Sequence, residues 1–315
     1  MKTYRNFLCL VFLLPAVCVK SQDTSLLSRL NDSMTVNKTI TYVTGTFKAT
    51  HVVNMQSVEA PARGVLIFMI QHRFGALNTG IYNFFGLDNA NTRIGLDYGI
   101  SDRLAVGAGR SSLAKAYDAY LKFKLLRQTD QSLRIPVSVS ILGTFSNFTD
   151  SVAQYNYPFE SSTHVTFSGK DRTAYTTQVL IARKFSSNFS LQLTPTFIHY
   201  NIVPHTTDKN NMFALGAGAR MKITRRMSIN AEYNYLPSGQ VVSYTTHDCF
   251  SLGWDIETGG HVFQLVFSNS QSMIESQYLT QTPGSWGKGD IYFGFNISRN
   301  FNLTKNAKAR SVPKT

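Results

Sequence analysis

Few residues in this chain stand where side-chain chemistry would need them. His247-Asp248-Cys249 sets a base, a carboxylate and a thiol side by side. Neighbours on a strand point to opposite faces, so Asp248 is badly placed to activate Cys249. The 7 histidines include no i, i+4 pair. His199 and His205 flank a strand end and read as loop residues. His72 and Ser268 are polar residues in otherwise apolar strands, a setting that an interfacial lipid hydrolase would use if an orienting partner stood nearby. The sequence has no Gly-rich phosphate loop, HExxH helix, CxxC pair or CxxCH site. The chain is therefore read as not an enzyme and as needing no cofactor and no metal; a lipid hydrolase is the least favoured alternative.

A second set of charged residues needs a different explanation. Arg93, Asp97, Lys122, Lys124, Arg220, Lys222, Glu232, Asp255 and Glu257 all fall on the polar side of segments that alternate apolar and polar residues. Chemistry does not require that spacing, but a strand with one wet face does. In Met227–Tyr235, for example, Met227, Ile229, Ala231, Tyr233 and Tyr235 oppose Ser228, Asn230, Glu232 and Asn234. Phe189–Tyr200 and Asp290–Phe301 repeat the pattern. Glycines recur on the same side (Gly95, Gly99, Gly107, Gly109, Gly216, Gly218, Gly253), where they leave room for large neighbours or permit bending.

Such segments number about 12, which suits a transmembrane barrel, and several are long enough to cross a bilayer at a tilt. Short connections (around Ser101–Arg103, Gln128–Ile135, Ser186–Asn188, Thr224–Arg226 and Thr258–Gly260) alternate with generally longer ones (75–90, 111–116, 148–172, 203–210, 237–247, 270–289). This alternation predicts an all-β fold: a single antiparallel transmembrane β-barrel with short periplasmic turns and long external loops. A soluble sandwich has no reason to alternate its loops in this way. The inward charges are expected to pair across the lumen and occlude it, because unpaired charges in a confined space are costly.

Composition agrees. The chain of 315 residues is 43% hydrophobic and 12% aromatic but only 16% charged. Its net charge of +13 is spread along the chain without a basic run or a stacked-aromatic motif, so a nucleic-acid partner is not expected. Lys2 and Arg5 precede the apolar run Phe7–Val19, followed by Lys20, Ser21 and Gln22, the layout of a secretory signal peptide. Cleavage after Ser21 would leave Cys249 as the one cysteine, so no internal disulfide is expected. The expected organisation is a removed signal peptide (1–21), a polar N-terminal segment (22–62), the barrel (63–301) and a basic mobile tail (302–315).

The stretch Gly64 to Arg110 is centred on QHRFGALNTGIYNFFGLDNANTRIGLDYGISDRLAVGAGR, and YDAYLKFKLLRQ follows at 117–128, LIARKFSSNFSLQLTPTFIH at 180–199 and FALGAGARMKITRRMSINAEYNY at 213–235. SLGWDIETGGHVFQLVFSNSQSMIE at 251–275 and GDIYFGFNISRNF at 289–301 complete the set. Together these stretches resemble a Bacteroidetes family of outer-membrane β-barrels catalogued as a domain of unknown function. The resemblance implies the outer membrane of a Gram-negative bacterium, and brings no activity that can be carried onto named residues. It also implies association with exported respiratory or redox proteins, which no residue here tests.

The expected function is thus a non-catalytic outer-membrane barrel with an occluded or gated polar lumen, serving transport or structure. Its partners would be outer-membrane lipid and either a small solute or a periplasmic or external protein. The alternative is a docking barrel that binds a partner through its long loops. Met273, Ile274, Tyr278, Leu279 and Trp286 make the 270–289 loop a candidate lid, plug or docking element, with packing against the barrel rim the expected outcome.

Overall fold

The computed structural model describes residues 41–130, 135–150, 169–203 and 207–304. The expected signal peptide (1–21), residues 22–40 of the polar segment, His205, most of the 148–172 loop and the residues from Lys305 onward lie outside the described residues.

Twelve strands close into one barrel. They are β1 (Val65–Ala76), β2 (Ala90–Gly99), β3 (Leu104–Ser111), β4 (Tyr117–Leu126), β5 (Ser138–Asn147) and β6 (Thr173–Lys184). β7 (Phe189–Tyr200), β8 (Asn211–Lys222), β9 (Met227–Tyr235), β10 (Cys249–Thr258), β11 (His261–Ser268) and β12 (Tyr292–Asn302) complete it. Each strand pairs antiparallel with the next. β12 returns to β1 with Asn302 opposite Val65, so no edge is left open.

The alternation in sequence becomes an inside-out barrel. Along β7, Ser190, Gln192, Thr194 and Thr196 are buried while Leu191 and Leu193 face outward and are exposed. The same holds on β9 for Ser228, Asn230, Glu232 and Asn234 against Ile229 and Tyr233. Apolar residues outside and polar residues inside are what a membrane solvent selects. No described helix is long and apolar enough to cross a membrane; the strands would do the crossing.

Three short turns share one local chemistry. In Ile100–Leu104, Phe185–Phe189 and Ile223–Met227 the first and second residues both donate their backbone N–H to the carbonyl of the fifth. A hydroxyl at the second position (Ser101, Ser186, Thr224) accepts the backbone N–H of the residue two further on. The short side-chain acceptor stands in for a backbone partner and fixes a tight reversal. The Thr258–His261 reversal instead uses the glycine pair Gly259-Gly260, with Gly260 at φ 134°.

The wall encloses two further pieces of chain. Residues 44–62 enter from the short-turn end, beside the strand pair Thr41–Tyr42 and Thr129–Asp130, and place Phe47, Val52, Val53, Met55 and Val58 in the core. From the long-loop end, helix α1 (Glu275–Thr280) is buried along its whole length against β6. Both join one apolar cluster with Leu142, Leu180, Ile198, Met212 and Val266 of the wall. The 270–289 loop therefore inserts into the barrel rather than packing on its rim. The described part of the polar N-terminal segment, residues 44–62, is thus an interior element.

Candidate functional site: the filled lumen

The interior segment turns back on itself at Val52–Met55. His51 and Gln56 bridge, Val52 N–H donates to Met55 O at 2.7 Å, and Ser57 N–H donates to Thr50 O at 2.8 Å. At the tip the backbone amides of Val53, Asn54 and Met55 donate to the Glu232 carboxylate at 3.1, 3.0 and 2.9 Å. Successive amides aimed at one anion form a concave donor nest; here the protein supplies its own anion from β9. Three bonds from fixed dipoles answer the desolvation that a buried carboxylate would otherwise suffer.

The rest of the hairpin is bonded to the wall on many sides. The Asn54 amide donates to Ser251 Oγ at 3.0 Å and its Oδ1 accepts from Arg73 at 2.7 Å. Gln264 and Asn296 donate to the carbonyls of Val52 and Val53 at 2.8 and 3.0 Å. Gln192 accepts from Val58 N–H and donates to Gln56 O, both at 2.8 Å. Burial first, then the charges of Arg93, Lys122 and Arg73, hold His51 well below the usual imidazole range, so it enters the lumen neutral.

Two wall glycines seat the tip. A Cβ on Gly216 would lie 2.8 Å from Met55 Sδ, and one on Gly218 would lie 2.7 Å from Met55 Cε. The thioether occupies the groove that those absent side chains leave, the large neighbour that the sequence pattern left open.

The charged residues singled out in sequence are distributed as follows. Arg93 is buried and grips Asp118 through Nε at 2.9 Å and through a short second contact, while its Nη1 reaches Gln71 Oε1 at 2.8 Å. Asp97 accepts from Thr50 Oγ1 at 2.9 Å. Lys122, fully buried, donates to Gln56 Oε1 at 2.7 Å and to the carbonyls of Ser57 and Glu59 at 3.0 Å. Lys124 stands 3.9 Å from Glu59. Arg220 meets Glu257 at 3.7 Å, and Lys48 of the interior segment meets the same carboxylate at 2.5 Å. Asp255 accepts from Asn230, Ser228 and Gln264. Lys222 is half-buried at the short-turn end.

Among the described residues, Arg220 and Glu257 are the two of this set brought together as an ion pair. The expectation that cross-lumen ion pairs would fill the interior is corrected: a hairpin and a helix fill it, and most of these charges hold the hairpin. Residues 44–62 and Asp118 escaped sequence reasoning. The available signal was the scatter of apolar residues on the wet face (Leu142, Leu180, Ile198, Met212, Val266), which called for an apolar occupant.

The hydrolase candidates separate. Ser268 is buried on the inside, 2.8 Å from Ser251 Oγ. His72 faces outward and stacks on Phe295 with ring centroids 5.0 Å apart. The barrel wall lies between them. Cys249 also points inward, while Asp248 accepts from the outward Tyr233 hydroxyl at 2.5 Å and from Leu236 N–H. Neither set forms a nucleophile and base in contact.

A family described as "Membrane bound beta barrel domain (DUF5777)" matches residues 47–301, a span that begins inside the interior segment. No curated protein matches in sequence. Among solved structures, the KdgM porin aligns at TM-score 0.44 and 7% identity over 75% of this chain and 99% of that one. The Acinetobacter baumannii outer membrane protein Omp33 aligns at 0.40 and 8%, over 77% and 100%. Outer membrane phospholipase A from Escherichia coli aligns at 0.41 and 10%, over 76% and 91%. Similarity at that level carries no argument about what the chain does.

Proposed function

The chain belongs to the family of membrane-bound β-barrel domains, and on that footing we propose that it is a non-catalytic outer-membrane barrel closed at rest by its own chain. The observation that carries this reading is the Glu232 nest, which fixes the hairpin tip to the wall by three backbone hydrogen bonds. Entry of residues 44–62 from the short-turn end fits a periplasmic start to the mature chain, with the longer connections outside the cell. Passage of a small polar solute then requires the hairpin, the α1 loop or both to leave, and their polar seats on the wall would become the lining of the path. Liposome-swelling assays with small sugars test this. The full chain is expected to be impermeant, and a chain lacking 44–60 is expected to swell. Rapid swelling with the full chain would refute the closed resting state.

A further inference from the structure

The excess of positive over negative charge lies at the short-turn rim of the barrel, where Asp102 is an exposed exception, while Arg110, Lys115, Lys170, Arg172, Lys209 and Lys288 at the opposite rim stand among carboxylates. Arg63, Arg103, Arg183, Arg225, Arg226 and Arg299 are exposed in or beside the short turns. The longer connections of the opposite rim carry Asp88, Asp150, Asp171, Asp208, Asp248 and Asp290. An exposed basic rim could be no more than a solubilising edge, but two of its arginines have a fixed geometry that such a role does not need.

Arg183 and Phe185 are two residues apart at the end of β6 and share the outward side, as do Arg299 and Phe301 at the end of β12. In each pair the guanidinium carbon lies over the ring, at 5.0 and 4.9 Å from the centroid. Phe185 is 54% exposed and Phe301 37%, so both rings lie on the same outer surface as the apolar wall. An aromatic ring there marks the level where hydrocarbon gives way to headgroups. A guanidinium held over such a ring at the surface retains N–H donors in the planar fork that matches phosphate oxygens.

We propose that this rim is a binding belt for the phosphate groups of anionic phospholipids in the leaflet that surrounds the short turns. Arg183–Phe185 and Arg299–Phe301 are its ordered sites, and Arg225 and Arg226 add charge in a turn between them. The ring packs among the upper acyl carbons and the guanidinium takes the phosphate. The inference concerns the outer surface and holds whether or not the lumen conducts.

The test uses the purified full chain, delipidated in neutral detergent and titrated with phosphatidylglycerol or phosphatidylcholine, with bound lipids counted by native mass spectrometry. Phosphatidylglycerol is expected to bind more tightly, by about five-fold per guanidinium engaged. R183Q/R299Q should lose most of that preference, whereas R110Q at the opposite rim should keep it. R183K/R299K, which retains charge but not the fork, should fall between. Heat-modifiable gel migration checks that every variant is folded. Equal affinity for the two lipids, or a preference untouched by R183Q/R299Q, would overturn the proposal. So would an acidic protein that occupies the rim and leaves these variants with unchanged lipid binding.

Discussion

The backbone amide of Met55 donates to the Glu232 carboxylate at 2.9 Å across the lumen, although 177 residues separate the two in sequence. With Val53 and Asn54 sharing the same carboxylate, Glu232→Ala would leave three buried amides without an acceptor. Each such orphan costs about 1–3 kcal/mol, so the hairpin should lose its seat while the strand ladder persists. Limited proteolysis of refolded protein should then cut within 44–60 in the variant and spare that stretch in the parent. Protection equal to the parent's would show that the nest does not hold the hairpin.

Gly218→Val tests the same seat sterically. Its branched side chain would meet Met55 Cε and Val52 Cγ2, and overpacking of this kind costs about 1–3 kcal/mol. Met55→Ala should relieve the clash, so the double variant is expected to recover the parent's protease protection. Failure of that rescue would place the strain elsewhere.

Arg93 and Asp118 form a buried pair, each side chain 5% exposed. Asp118→Ala leaves a guanidinium in the interior with Gln71 as its remaining side-chain acceptor. Loss of one partner from such a pair costs about 3–5 kcal/mol. Urea titrations of the barrel in lipid should show the midpoint fall, and an unchanged midpoint would contradict a dry interior at this level.

Glu275 on α1 is raised to about 7, first by burial and then by the Asp118 charge, with Arg93 acting in the opposite sense. A carboxyl whose pKa is raised on docking favours the docked loop fully below its ordinary value of 4.5. That advantage declines as pH rises and is gone above about 7. Trp286 lies near the mouth, its indole N–H donating to Phe250 O at 2.9 Å. Its accessibility to an aqueous quencher should therefore increase between pH 5 and 7.5, and Glu275→Gln should flatten the response. A parent profile already flat over that range would place the Glu275 titration elsewhere.

The barrel was legible because a wall strand writes its environment into its own two-residue alternation. β6 and β7 needed no distant partner to be recognised. The interior hairpin left no such trace. Its backbone bonds to wall side chains 63 to 243 residues away, and its apolar residues (Phe47, Val52, Val53, Met55, Val58) keep to no two-residue alternation. Its imprint lies instead on the wall, in Gly216, Gly218 and the inward Ile198 and Met212, each of which has a second explanation when read alone. The apolar content of α1 was visible, but pattern does not distinguish a helix inserted in the mouth from one resting on its rim.

Planar-bilayer recordings of the full chain beside Glu232→Ala test the central claim most directly. The account predicts no steady conductance from the parent at low voltage, and flickering or sustained openings once the hairpin has lost its anchor. Large, steady open-channel conductance from the parent protein would contradict it.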